Sequence, residues 1–282
     1  MMRSKKVVVL GSRGMAGHII AEYLDGLDKY EVFGVARESG KFVDKILDVL
    51  NEESLEAYLS EVKPDIVVNG VGALVAEANA DISNAITTNG LLPHVLAKLG
   101  ACFGFKLIHL STDCVFSGRD GGYTEDSPKD GLDSYAKSKA LGEVINERDL
   151  TIRTSIIGPE LKNGTGLLNW FFQQSGETRG YTHAYWTGVT TLELAKVIDA
   201  MIEQKITGLY HLCPKDKISK YDLLLLFKKV WNREITITPF EDYAIDKSLV
   251  CTRNDFQYSD LEYEKMLLEM KIWMDNHREY YQ

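Results

Sequence analysis

The chain has 282 residues, enough for one large α/β unit or for a main domain with a smaller companion. Its formal net charge of -9 and pI near 5.3 exclude a broadly basic surface, so we expect no binding to nucleic acid. No apolar run is long enough for a signal sequence or a membrane span, and the four cysteines include no C-x-x-C pair. These features predict a cytoplasmic protein with reduced cysteines and no membrane association.

Short apolar runs alternate with helical stretches in the first half of the chain. The pattern predicts strands over 6–10, 30–35, 65–69, 106–110 and 151–157, and helices over 15–24, 54–62, 93–99 and 135–147. Strands separated by helices require crossover connections, which produce a parallel sheet covered on both faces. We therefore predict an α/β fold with a Rossmann-type doubly wound parallel sheet.

The pattern changes after residue 157. Helices are predicted over 167–174, 188–202 and 219–230, the last with Ser219 as its N-cap, and a strand is predicted over 208–212. No repeat or long linker separates these segments. We predict a Rossmann domain over 1–157 and a smaller C-terminal substrate-binding lobe over 158–282, with segments near 187–212 returning to the Rossmann core.

A glycine-bearing turn lies between the first predicted strand and the first predicted helix. A backbone that turns tightly against a pyrophosphate has no room for Cβ atoms, and the start of a helix offers N–H donors to an anion. An ordinary glycine turn is the alternative, but the order strand, turn, helix favours a dinucleotide site. The predicted cofactor contacts in this turn are Gly11, Ser12, Arg13, Gly14, Met15 and Gly17.

The end of the second predicted strand favours NADPH or NADP over NAD. It carries Arg37 and lacks the acidic residue that would bind a ribose 2′-hydroxyl. Arg37, Arg13 and Lys41 could instead bind a 2′-phosphate, because guanidinium groups match its geometry. The alternative is that Arg37 is a solvated loop charge. We predict an NADP-binding Rossmann domain.

Tyr135 and Lys139 are the leading catalytic candidates. Side chains four residues apart on a helix share a face, and a nearby ammonium makes the deprotonated phenol more accessible. A surface helix that happens to carry both residues is the alternative. Ser111 and Thr112 directly follow the strand over 106–110, so their hydroxyls lie at a carboxyl-terminal sheet edge, where α/β proteins bind ligands.

These residues belong to a wider set of motifs. S-T-D-x-V-F-x-G runs from Ser111 to Gly118, Y-x-E begins at Tyr123, and Y-x-x-S-K ends at Lys139. In order and spacing they resemble the extended short-chain dehydrogenase/reductase family, and most of all the dTDP-4-dehydrorhamnose reductases. The resemblance implies NADPH-dependent reduction of the 4-keto group of a nucleotide-linked 6-deoxyhexulose, in deoxysugar or surface polysaccharide biosynthesis.

The resemblance also implies roles for individual residues. Thr112, or alternatively Ser111, would hydrogen-bond the substrate carbonyl; Tyr135 would be the general acid; and Lys139 would hold the nicotinamide ribose. Asp113 would orient these hydroxyls or be a turn residue. Further cofactor contacts are implied at Asp48, Val49, Asn69, Gly70 and Val71, with Asn89 as a structural asparagine. His18 and Ile19 follow Gly17 without the glutamate of some magnesium-linked dimers, so no metal is expected.

The sequence signals for substrate contacts are less specific than those for the cofactor and the catalytic residues. Candidate contacts to the nucleotide sugar are Asn169, His183 and Trp186, within aromatic segments that include Asn163 and Tyr185, and Arg179 or Arg253 could bind phosphate. The alternative is that these aromatic residues are core and the histidine is structural. Whether the substrate is dTDP- or UDP-linked stays open, as does the oligomeric state, for which a homodimer is one candidate.

Two other functions remain open at this stage. One is a nucleotide-sugar epimerase or dehydratase of the same family. The other is a non-catalytic dinucleotide-binding regulatory subunit that resembles the β subunit of methionine adenosyltransferase, because such subunits share the S-T-D-x-V-F motif.

Overall fold

A computed structural model describes residues 3–161, 164–259 and 261–281. The strands in this described part are β1 (Lys5–Leu10), β2 (Tyr30–Ala36), β3 (Lys45–Ile46), β4 (Ile66–Asn69), β5 (Lys106–Thr112), β6 (Leu150–Thr154), β7 (Ile156–Ile157), β8 (Gly176–Trp186), β9 (Val189–Thr190), β10 (Gly208–His211), β11 (Ile218–Ser219) and β12 (Ile235–Asp246).

The helices alternate with the strands through most of the chain. They are α1 (Gly17–Asp25), α2 (Glu52–Val62), α3 (Val75–Ala80), α4 (Ile82–Ala85), α5 (Leu92–Phe103), α6 (Ser134–Leu141), α7 (Leu167–Gln173), α8 (Thr191–Glu203), α9 (Lys220–Val230) and α10 (Tyr263–Asn276), with a π-helical turn over Ile86–Leu91 between α4 and α5. In the parts of the chain that the structure describes, no helix has the length and apolar character needed to cross a membrane.

Seven parallel strands form the main sheet in the order β10-β6-β5-β4-β1-β2-β3. Strand β1 is buried on both faces: Val7 and Val9 belong to the core that contains α1 and α8, while Val8 and Leu10 belong to the core that contains α2 and α5. Two covered faces explain why residues 7–10 of β1 are all apolar rather than alternating. The predicted Rossmann-type doubly wound sheet is confirmed.

A second, three-stranded sheet in the order β11-β8-β12 forms a smaller lobe. Strand β8 pairs in parallel with β12 and antiparallel with β11. Helix α9 packs on this sheet and, with α7 and α10, encloses a third apolar core that contains Phe171, Trp186 and Phe227. Between β8 and β12 the chain returns to the main sheet, because α8 packs against α1 and β10 pairs with β6.

Several local predictions hold and others need correction. Ser219 is the N-cap of α9, as predicted, and its Oγ accepts the Asp222 N–H at 3.0 Å. The helix predicted over 135–147 is wrong beyond Leu141, because Gly142 caps it and lies against the Asn89 carbonyl, where a Cβ has no room. The strand predicted over 151–157 divides into β6 and β7, and β8, β12 and α10 were not predicted.

Candidate active site

The glycine turn lies where the sheet reverses its strand order. Strands β1 and β4 are neighbours, and the residues that follow them, Gly11 and Gly70, meet at their carboxyl ends. Gly11 has φ +78°, a conformation that favours glycine, and a Cβ on Gly17 would lie far inside contact distance of the Gly11 carbonyl oxygen. The turn and helix α1 can therefore approach each other only because both positions are glycine.

A cavity of about 320 Å³ opens beside this turn. Eight of the predicted cofactor residues line it, namely Gly11, Arg13, Gly14, Arg37, Asp48, Val49, Gly70 and Val71. Helix α1 has Ala16 at its N-cap, whose side chain cannot accept a hydrogen bond from the first turn, so donors at the helix start remain for an anion. A bare backbone cradle at the start of a helix fits the pyrophosphate of a dinucleotide.

Ser12 does not fit its predicted role as a cofactor contact. Its side chain is completely buried, with an Oγ that has no partner among the described residues, and its N–H donates to the Val35 carbonyl at 3.1 Å. Met15 lies on the other side of the turn, where its Cε would be 3.0 Å from a Cβ on Gly166. It therefore faces the segment that leads into α7.

The three basic residues proposed to recognise a 2′-phosphate have different surroundings. Arg37 is exposed at the cavity and has no hydrogen-bond partner among the described residues. The Arg13 guanidinium also lines the cavity and donates to the Ser39 carbonyl at 2.7 Å, which fixes its direction. Lys41 lies elsewhere, with its Nζ 3.5 Å from the centre of the Tyr280 ring. Arg13 also pairs with Glu38 at 3.4 Å, so Arg37 is the more available of the two arginines at the cavity.

Two buried asparagines organise the loops around the site. Asn69 Oδ1 accepts the Val71 N–H at 3.1 Å, which shapes the backbone after β4. Asn89, in the π-helical turn, accepts the Ala73 N–H at 2.8 Å and donates to the Ala73 carbonyl at 3.0 Å. Neither side chain lines the cofactor cavity, so both act by holding backbone.

Thr112 ends β5 and lies next to the start of a short 3₁₀ turn. Its Oγ1 donates to Asp113 Oδ1 at 3.1 Å and accepts the Cys114 N–H at the same distance. Asp113 is itself buried, and desolvation raises the pKa of its carboxyl. Thr112 is thus held in one orientation by groups of its own turn.

Tyr135 faces Thr112 from the first turn of α6, and the Thr112 hydroxyl is close enough to act on the Tyr135 phenol. Burial raises the pKa of the Tyr135 hydroxyl above its ordinary value, while Thr112 acts in the opposite direction. Tyr135 is therefore protonated at neutral pH.

Lys139 lies one turn further along α6 and is almost completely buried. Its Nζ donates to the Leu110 carbonyl at 2.6 Å, which ties α6 to the end of β5. Desolvation lowers the pKa of Lys139 to about 8, and the Glu143 carboxylate opposes this shift. The ammonium has two more N–H groups for a ligand.

Glu143, which follows the cap of α6, is a residue that the sequence analysis missed. Its carboxylate accepts Ser111 Oγ at 2.8 Å and makes a two-pronged ion pair with Arg153, at 2.6 and 2.8 Å. The Ser111 hydroxyl, the alternative to Thr112 as a substrate contact, is therefore already engaged in a structural hydrogen bond. Glu143 lies within the helix predicted over 135–147, where a single glutamate shows no sequence pattern that would reveal this pairing.

The structure places the predicted substrate residues in three different environments. Trp186 is 3% exposed and packs in the lobe core, as the alternative interpretation had it. Asn169 is half-buried on α7, with its Nδ2 beside Gly164 and the carboxyl of Glu160 close by. His183 is exposed on the opposite face of β8 from Trp186, so it is not brought to Thr112. Asn163 lies outside the described residues.

The two arginines proposed for a phosphate are engaged elsewhere. Arg253 pairs with Asp255 and donates to the carbonyls of Thr207 and Leu209, which makes it a structural residue of the β10 edge. The Arg179 guanidinium stacks over Phe240, 5.3 Å from the ring centre.

The arrangement of cradle, hydroxyls and lysine can be compared with known proteins. The family model described as the RmlD substrate binding domain matches residues 5–280. The chain belongs to the RmlD substrate binding domain family. This membership confirms the resemblance to extended short-chain dehydrogenases that the S-T-D-x-V-F-x-G and Y-x-x-S-K motifs indicated.

Relatives of this RmlD-family chain have more than one function. It is 27% identical over 224 residues to the spore coat polysaccharide biosynthesis protein SpsK of Bacillus subtilis (strain 168), covering 77% of this chain and 76% of that protein. It is 24% identical to a dTDP-4-dehydrorhamnose reductase of Aggregatibacter actinomycetemcomitans (78% and 77% covered). It is also 25% identical to methionine adenosyltransferase 2 subunit beta of Xenopus laevis (81% and 73% covered).

The RmlD fold is also evident among solved structures. The dTDP-4-dehydrorhamnose reductase of Bacillus anthracis str. Ames, crystallised in complex with NADP, superposes with a TM-score of 0.83 at 21% identity. The match covers 97% of this chain and 99% of that one. The two proteins therefore share the whole fold, including the lobe built on β8 and β12.

Proposed function

We propose that this chain is an NADPH-dependent reductase that converts the 4-keto group of a nucleotide-linked 6-deoxyhexulose to a hydroxyl. The observation that carries the proposal is the approach of Tyr135 to Thr112, with Lys139 one turn away, beside a backbone cradle that fits a dinucleotide. Family membership and reductase relatives support an NAD(P)-dependent oxidoreductase. SpsK supports a role in polysaccharide biosynthesis.

The residues of the chain supply orientation and proton transfer. Bound NADPH would provide the hydride for the ketone carbon. Thr112 would donate a hydrogen bond to the ketone oxygen, turning its hydroxyl from Asp113 to the substrate. Tyr135 would give its proton to the same oxygen as negative charge develops there. The raised pKa of Tyr135 suits this direction, because a general acid must hold its proton beforehand.

Lys139 would bind the ribose hydroxyls next to the nicotinamide through the N–H groups that Leu110 leaves available. Its position near the end of β5 also places a positive charge close to the ketone oxygen, which favours the oxyanion character of the transition state. Arg37 and Arg13 would bind the 2′-phosphate at the far end of the cavity and so favour NADPH over NADH.

The thiol of Cys114 does not support a dehydratase. A dehydratase needs an additional acid or base near the sugar, and Cys114 is the reactive side chain that follows Asp113. Burial raises the pKa of this thiol to about 12, so it stays protonated and is a poor base.

The test is NADPH oxidation with a panel of dTDP- and UDP-linked 4-keto-6-deoxy sugars and identification of the product. We expect turnover of at least one sugar, and we expect Tyr135→Phe to bind NADPH normally but to lose most of the rate. Near-normal turnover by Tyr135→Phe would contradict the mechanism. Ser111→Ala is the matched control for loss of a hydroxyl at this sheet edge, and it should retain much more activity than Thr112→Ala.

A regulatory subunit is the second candidate, because the 25% identity to methionine adenosyltransferase 2 subunit beta extends over 248 residues. It predicts a stable complex with another enzyme and no reduction of any sugar in the panel. Copurification of the chain from its own cells followed by mass spectrometry separates the two candidates.

A further inference from the structure

Two lysines from distant parts of the chain meet beside the Thr112 turn. Lys220 begins α9, and its Nζ lies 4.9 Å from the centre of the Trp186 ring. Lys247 follows β12, and its Cγ would be 2.9 Å from a Cβ on Gly118, so its stem crosses the loop that follows the turn. The Lys247 charge also acts on the Cys114 thiol, where it opposes the pKa increase that burial causes. The lobe thus brings two ammonium groups to the end of β5.

The positive charge of these lysines is not balanced by the protein. Within the described residues, neither Lys220 nor Lys247 has a carboxylate within 4.0 Å, whereas the nearby Lys217 pairs with Asp246 at 2.5 Å. The acidic group on which both lysines act is Asp113, which is buried and already accepts a hydrogen bond from Thr112. Two cations therefore face one carboxyl, and the excess charge favours binding of an anion.

Trp186 gains a role from this arrangement. It is too buried to line a sugar pocket, but its ring supports Lys220 through a cation–π contact. The ring is itself fixed from behind, because Gly188 packs against it so closely that a Cβ there would clash. Lys220 is thereby held toward the β5 end instead of reaching into solvent.

The anion that we expect beside the two lysines is the diphosphate attached to the sugar. Under the proposed function, Thr112 and Tyr135 hold C4 of a hexose whose C1 carries a diphosphate. That diphosphate is the charged part of the substrate, and it lies across the ring from C4. Lysine binds phosphate as a point charge, and the arginines first considered for this task are engaged elsewhere.

We propose that Lys220 and Lys247 form the seat for the sugar-linked diphosphate of the substrate. The inference rests on the proposed function for the identity of the ligand, but its test does not require turnover. Diphosphate binding can be measured with dTDP and UDP, and with thymidine and uridine as uncharged counterparts.

The experiment is isothermal titration calorimetry of NADPH-saturated protein with these four compounds. Lys220→Met and Lys247→Met keep an apolar stem and remove the charge. We expect each to weaken dTDP or UDP binding about 10- to 100-fold, the range of one charge-assisted hydrogen bond, with no change for the nucleosides. Lys217→Met is the matched control and should bind all four compounds like the wild type.

Equal affinity of wild type, Lys220→Met and Lys247→Met for dTDP and UDP would overturn the proposal, as would an equal loss for diphosphates and nucleosides. Lys220→Arg, which preserves the charge, should retain binding, and Lys247→Met carries the test by itself if Lys220→Met does not fold. If no sugar is reduced but the lysine variants still lose diphosphate affinity, the proposed reduction fails and the seat stands. If turnover persists with unchanged KM in both variants, the seat fails and the reduction stands.

Discussion

The side-chain amide of Asn89 donates a hydrogen bond to Ser138 Oγ at 3.1 Å. Ser138 lies on α6 between Tyr135 and Lys139, so this bond ties the candidate catalytic helix to the π-helical turn. Because Asn89 also holds both backbone groups of Ala73, one buried side chain fixes the helix relative to the loop after β4.

Asn89→Ala should therefore destabilise the protein and reduce its activity. It leaves the N–H and carbonyl of Ala73 without partners in a buried position, which costs about 1–3 kcal/mol for each group. Urea denaturation measures the loss. Ser138→Ala is the control: it removes the bond from Asn89 and the bond that Ser138 Oγ donates to the Tyr135 carbonyl, but it leaves both backbone groups of Ala73 paired, so its free energy of unfolding should fall less. Equal stabilities of the two variants would show that the Ala73 contacts contribute little.

Gly17→Ala should abolish NADPH binding. The added Cβ collides with the Gly11 carbonyl oxygen, so either the turn or the start of α1 must move, and the pyrophosphate cradle is lost with it. NADPH fluorescence titration is the measurement. Gly26→Ala, at the other end of α1, has a negative φ and meets its neighbours at an ordinary 3.5 Å, so it should bind NADPH normally. Tight NADPH binding by Gly17→Ala would mean that the cofactor uses a different surface.

The rate of reduction should fall as pH rises through about 8. Burial lowers the pKa of Lys139 from its ordinary value of 10.5 to about 8, so the ammonium is present below that pH and is lost above it. His109 is fully buried nearby and has a pKa well below its ordinary value. It therefore stays neutral and does not contribute to the decline in rate above pH 8. The profile of kcat/KM against pH measures the effect.

Arginine substitutions identify the lysine responsible for this decline. Lys139→Arg keeps its charge, so whatever activity it retains should no longer decline near pH 8. Lys106→Arg is the matched control, because Lys106 also has a pKa lowered to about 8 by burial but lies at the opposite end of β5. Lys220→Arg tests the third lysine with such a pKa. If kcat/KM of Lys139→Arg still declined near pH 8, the titration would belong to another group.

Arg37→Ala should raise the KM for NADPH and leave the KM for NADH unchanged. The exposed guanidinium has no partner among the described residues, so its removal should affect stability little while the 2′-phosphate loses a contact. A loss of about tenfold is expected for one charge-assisted hydrogen bond. Arg119→Ala, which removes another exposed arginine on a loop far along the chain, controls for net charge. A wild-type preference for NADH would remove the basis for this prediction.

The main sheet and the end-of-strand residues were predictable because both depend on local signals. Apolar strands that alternate with helices give a parallel sheet, and residues just after such strands gather at one edge, which is why Gly11, Gly70 and Thr112 could be placed from sequence. The lobe was not predictable in this way. Strand β8 is exposed along much of its length and β12 contains Pro239, so neither shows a clear alternating pattern.

The missed lobe strands explain the errors at the substrate side. Without β8, sequence could not show that His183 and Trp186 lie on opposite faces. Without the pairing of β11 with β8, it could not bring Lys220 to Trp186. Likewise, Arg253 looked available because the backbone carbonyls that it caps belong to Thr207 and Leu209, on a segment with no local link to it.

The route of the chain between the two sheets has a consequence for how the protein is made. Strand β8 cannot form its parallel pairing until β12 has been synthesised. Strand β10, which is synthesised between the two, pairs with β6 in the main sheet. Bringing β8 and β12 together closes a long loop, which costs chain entropy. The pairing that begins at Gly176 and Ile235 offsets this cost only after the segment between them has packed on the main sheet. The Rossmann sheet can therefore be completed on the ribosome before the lobe closes, and the end of β5 becomes enclosed last.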